Sequence, residues 1–73
     1  MASESPTADE AIDRAVEQFV AALANVLQAR KTGPASIALR AELAAANANA
    51  AKVLNTKNYN DAVRQATRIS DQA

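Results

Sequence analysis

The sequence predicts an all-α fold: an antiparallel helical hairpin, with helices over about residues 7–31 and 35–54, and a further helical segment over about 58–71. Three observations predict it. Apolar residues in the first third of the chain recur with the period of an α-helix. The single glycine lies beside one of the two prolines, in Gly33–Pro34, so the strongest chain breakers are concentrated at one place. The middle of the chain, Ala44–Ala45–Ala46–Asn47–Ala48–Asn49–Ala50–Ala51, carries no charge, and alanine is the strongest helix former.

Met1–Ser5 is polar and reads as a flexible tail. Thr7 stands three residues before Glu10, the spacing at which hydroxyl and carboxylate cap each other's backbone amides. Ser5 followed by Pro6 offers an equivalent start two residues earlier. Asp9, Glu10 and Asp13 then meet the positive end of the helix dipole, and Arg30 and Lys31 the negative end. Between them Ile12, Val16, Phe19, Val20, Leu23, Val26 and Leu27 fall within a stripe roughly 120° wide. Asp13, Arg14, Glu17, Gln18, Asn25 and Gln28 occupy the opposite side. The expected helix has about 24 residues and is about 36 Å long. Ile12, Phe19 and Val26 make a coiled-coil-like seam, although barely two heptads do not demand a coiled coil.

Thr32–Gly33–Pro34 ends this helix, glycine taking a left-handed cap and proline refusing to continue. So short a link turns the second helix back antiparallel. The second helix begins near Pro34–Ser36 and carries Leu39, Leu43, Val53 and Leu54 on one side. Tyr59, Ala62, Val63, Ala66 and Ile69 cluster about 145° away on the same wheel. Between the two groups, Asn55 suits a helix end and Asn58 an N-cap. Two readings stay open: a short third helix that folds back, or one long second helix projecting past the hairpin. The caps and the change of phase favour the break. Charge supports the hairpin, since residues 1–17 carry a net −4 and residues 30–57 a net +4. Antiparallel packing sets the acidic start of the first helix near Lys52 and Lys57, though such exposed pairs select orientation more than they add stability.

Composition narrows the function. Seventy-three residues make one small helical domain over 1–73, and 20 of the 36 apolar residues are alanine. Fifteen apolar residues, Met1 aside, are large enough to fill space, a thin core that points to self-association or a partner. The chain has no cysteine, so no disulfide or thiolate metal site staples it. Eight basic and eight acidic residues, scattered along the chain, argue against nucleic acid as a partner. No stretch is apolar and long enough to span a bilayer, and Met1–Pro6 lacks the signature of a signal peptide. The expectation is a soluble protein, cytoplasmic or within a virion or other assembly, with signal-less export left open.

Catalysis has little to stand on. Histidine and cysteine are absent, the serines fall at tails and helix ends where capping explains them, and the one glycine excludes a phosphate-binding loop. Asp9, Asp13 and Glu17 sit at helical spacing but on the polar face. A non-enzymatic protein without cofactor or metal is expected.

The candidate interface comprises Ala44, Ala48, Ala51, Asn47, Asn49, Tyr59, Val63 and Ile69. About 12 Å of uncharged, small-residue helix lets another backbone approach closely. Asn47 and Asn49 lie about 200° apart, so both are not expected to face water if one side of the hairpin is buried; either one crosses an interface and fixes its register, or, on the plainer reading, it holds a solvent-facing or rim position. Tyr59–Asn60–Asp61–Ala62–Val63, with Ala66 and Ile69, resembles the second helix of a tetratricopeptide repeat over about a dozen residues. The first-helix signature of that repeat is missing upstream and no second copy follows, so peptide binding is not carried over. The plain alternative makes Tyr59, Val63 and Ile69 the inner side of a terminal helix, with the tyrosine hydroxyl in water.

The leading expectation is therefore a protein–protein interaction or structural subunit, packing through helical faces into a homo-oligomer or a larger assembly such as a phage, virion or bacterial machine. A regulatory, antitoxin-like inhibitor is a second class, weakened by zero net charge. A subunit of a secreted helical polymer is a third, weakened by the missing aromatics of helix two and the missing Trp-x-Gly turn of small secreted hairpin dimers.

Overall fold

Helical periodicity in the first and last segments and alanine's helix propensity in the middle one yield three helices in the computed structural model, which describes residues 8–72, with side chains from Glu10 onward. They are α1 (Ala8–Arg30), α2 (Ile37–Val53) and α3 (Thr56–Gln72). The tail over 1–5 and both expected caps before Ala8 lie outside the described residues. The chain is all-α, and the break before residue 58 is real: α3 is a separate helix that folds back along α1, so the long projecting second helix does not form.

α1 ends by tightening. The Lys31 and Thr32 amides donate to the carbonyls of Gln28 and Ala29 at 3.2 Å each, and the Thr32 hydroxyl adds a second bond to Ala29 at 3.2 Å. These i→i−3 bonds satisfy carbonyls that a helix end otherwise leaves open. Gly33 follows with φ +151°, a positive φ that only glycine adopts without strain. The expected left-handed cap is therefore corrected. The 3₁₀ turn already serves the last carbonyls, and Gly33 is used to redirect the chain.

Ser36 caps α2, its hydroxyl oxygen accepting from the Leu39 amide at 3.1 Å. At the other end the Leu54 amide still donates to the Ala50 carbonyl at 2.8 Å while Leu54 itself is extended, with ψ 143°. Asn55 then caps α3. Its side-chain oxygen accepts from the Asn58 amide at 2.8 Å, and its carbonyl accepts the first helical bond, from Tyr59, at 2.9 Å. The sequence assigned that role to Asn58 and a helix-ending role to Asn55. The correction has a simple cause: one extended residue, Leu54, suffices to reverse the chain, so the next side chain able to accept is already in the capping position.

α2 and α3 both pack along α1, and hardly touch each other. The Lys31 ammonium donates to the Ser70 carbonyl, so the ends of α1 and α3 lie together and the two helices run parallel, with α2 antiparallel to both. The buried cluster is Phe19 and Val20 with four alanines, Ala24, Ala50, Ala62 and Ala66. Ala50 and Ala66 are 0% exposed, so each outer helix meets α1 through a residue with no side chain beyond Cβ. That allows close approach but buries little apolar area, and each fully buried large side chain contributes about 1.5–3 kcal/mol by comparison. Phe19, Val20 and Val26 are buried; the other twelve of the fifteen large apolar residues stay half-exposed or exposed. Among the described residues no helix is long and apolar enough to cross a membrane.

Candidate interaction face

The positions on α2 that look toward α1 are Leu43, Ala46 and Ala50, separated by three and four residues. Those on α3 are Tyr59, Ala62, Ala66 and Ser70, again at helical spacing, with Ser70 only 3% exposed. Because α2 and α3 grip α1 from different sides, one strip of α1 is left between them. Phe19 and Leu23 form the floor of the resulting groove, Leu43, Ala44 and Asn47 one wall, and Tyr59 and Val63 the other. The groove encloses about 430 Å³ and opens to solvent. A neighbouring depression shares Arg40 and Leu43 with it and is lined further by Val26, Arg30 and Pro34, toward the far end of α1.

At its closed end the three helices meet through two contacts. The Phe19 and Tyr59 rings lie with centroids 4.9 Å apart and planes tilted by 30°, within the range of favourable aromatic pairs. The Tyr59 hydroxyl donates to the Asn47 side-chain oxygen, which ties α3 to α2 across the groove. The tyrosine hydroxyl makes this bond at an exposed position, because α3 folds back far enough to bring it over α2.

The sequence-predicted interface residues divide into two sets. Ala44, Asn47, Tyr59 and Val63 line the same groove. Ala48 and Ala51 continue the rows of Ala44 and Asn47 by one helical turn and are exposed. Asn49 and Ile69 are elsewhere. Asn49 shares its row with Ala45 and Glu42, on the flank where α2 meets Gln18 and Asn25 of α1. Ile69, 45% exposed, follows Gln65 and Asp61, on the flank where α3 meets Ile12 and Val16. Asn47 and Asn49 are both exposed, which corrects the expectation that one of them leaves water. The inward row of α2 is narrow enough for the two asparagines to straddle it.

The sequence reading missed Phe19 as a groove floor, and Arg30 and Arg40 beside it. Arg40 precedes Ala44 by one turn and Asn47 by two, so its place on the row was available in the spacing. What the spacing lacked was the direction of α3, without which neither side of α2 is distinguished. Ile37, 78% exposed, lies outside the groove, at the start of the outward side of α2.

The surface charges differ from one inter-helix depression to the next. Among the described residues, Arg30 and Arg40 line the groove and its neighbouring depression, and no carboxylate does. The α1–α3 depression holds Asp13 and Asp61, and the α1–α2 depression holds Glu42. Asp61 also pairs with Arg64 at 3.1 Å on the exposed side of α3. Among the described residues no group of three or more acidic side chains is placed to hold a metal ion. The chain matches no protein-family model, no curated protein and no solved structure.

Proposed function

We propose that this chain is a small non-enzymatic interaction subunit, which works by packing the α2–α3 side of its fold against another protein surface in a homo-oligomer or larger assembly. One observation carries the reading. Outside the buried Phe19, Val20 and Val26, the large apolar side chains stay partly exposed, Leu23, Leu43, Tyr59 and Val63 around the groove among them, while alanines occupy the seams. A fold that fills so much of its interior with alanine and leaves most of its large side chains partly exposed gains by having them covered. The absence of histidine and cysteine supports a role without chemistry.

Sedimentation across a wide concentration range, together with amide hydrogen exchange in the presence of the native cell extract, tests this. The expected result is either a mass above the 7.6 kDa monomer or protection gained along Ile37–Ala51 and Tyr59–Val63. A monomer at every concentration, with no protection gained anywhere, sinks the proposal.

A further inference from the structure

We infer that the occupant of the α2–α3 groove is an acidic amphipathic helix from a different protein. The inference rests on the interaction reading above and names its partner class. Its first support is shape. Leu23 of α1, Leu43 of α2 and Tyr59 and Val63 of α3 stay partly exposed around a trough closed beneath by the buried Phe19, a shape that an added helix with one apolar face fits. Such a helix lies over the gap between α2 and α3 and covers what they leave exposed of Leu23.

Its second support is charge. Arg30 and Arg40 both lie toward the end of the groove away from Tyr59, and among the described residues no carboxylate lines it. Both are exposed, so they sit at a rim that an occupant's polar flank reaches. Guanidinium groups at such a rim favour a partner carrying Glu or Asp beside its apolar stripe. A second copy of this chain fits less well. Two grooves facing each other set Arg30 and Arg40 against the same arginines. The acidic residues Asp13 and Asp61 border a depression of their own, and one hollow does not fill another.

The test uses the full chain and two synthetic helical peptides of about fourteen residues, with leucine at every third or fourth position and either glutamate or lysine elsewhere. Fluorescence anisotropy is expected to show the glutamate peptide binding roughly tenfold more tightly, with the preference shrinking as salt is added. Arg40→Glu, at an exposed position, is expected to reverse the order while leaving the helical circular dichroism unchanged. Glu42→Lys, on the other flank of α2, is expected to leave the order intact. Equal affinities, a preference for lysine, or no binding of either peptide overturns the inference. So does a self-associated chain whose association is abolished by Arg40→Glu, since that makes a second copy the occupant. The two readings fail separately: a chain that assembles without preferring the glutamate peptide loses this inference alone, whereas one that stays monomeric and gains no protection loses both.

Discussion

α2 and α3 are both seventeen residues long and both lie against α1, yet they solve the problem of facing water differently. α3 separates its residues sharply. Ala62, Ala66 and Ser70 turn inward, while Arg64, Gln65, Thr67 and Arg68 turn outward. α2 does not separate them. Its inward row is Leu43, Ala46 and Ala50, and its outward side is again alanine, at Ala38, Ala41, Ala45 and Ala48, with Ile37 at its start. Amphipathicity thus accounts for α3 as a helix of this fold and leaves α2 half explained. Helix propensity makes α2 helical. Among the described residues, none covers its outer surface.

The largest expected effect removes what both helices share. Phe19 is 2% exposed, belongs to the core cluster and packs against Tyr59. Phe19→Ala is expected to destabilise by about 3–5 kcal/mol, because little nearby bulk can collapse into the space. In so small a domain that is most of the stability available. Urea denaturation followed by circular dichroism should show the cooperative transition lost for α2 and α3 together. A variant that retains the wild-type midpoint would mean the alanine seams hold the helices without their common anchor.

A smaller effect separates the two helices. Ser36 and Asn55 perform the same task, each accepting an amide of the first turn, at 3.1 and 2.8 Å. Replacing either by alanine is expected to cost about 1 kcal/mol. The consequences should differ. α3 is polar over most of its surface and depends on its cap and its inward row, so Asn55→Ala should raise amide exchange through the first turn of α3 selectively. α2, rich in alanine, should fray less after Ser36→Ala. Equal exchange in the two variants would show that propensity does not distinguish them.

How far the sequence carried depends on the same contrast. The seven apolar residues of α1 and the 145° change of phase between Leu54 and Tyr59 are properties of spacing, so three helical segments and their order were legible. The position of the last break was not, because Asn55 and Asn58 are the same residue type three apart and either can cap. The groove was legible only in part. Ala44, Asn47, Tyr59 and Val63 were singled out for their composition and do line it, but that reading could not separate them from Asn49 and Ile69, which lie on the other flanks. Which side of α2 faces the gap is decided by how α3 returns over α1, a tertiary fact with no local marker. Arg40 was passed over for the same reason.

The smallest expected effect on stability is the one that bears most directly on the unexplained side of α2. Ala48 is exposed and lies one turn beyond Ala44 on the groove side. Ala48→Glu should change stability by no more than about 0.5 kcal/mol, since it touches no buried group and costs only a few tenths in helix propensity. If the outer surface of α2 is there to be covered, the same substitution should weaken association severalfold, by placing a carboxylate where a partner must come close. Gln65→Glu on α3 adds the same charge at an exposed position of the other flank and should leave association unchanged. Denaturation midpoints read against sedimentation or anisotropy for the two variants separate the cases. An Ala48→Glu chain that associates as well as the wild type would reduce the alanines of α2 to helix formers and shift the interaction surface to the groove floor and α3.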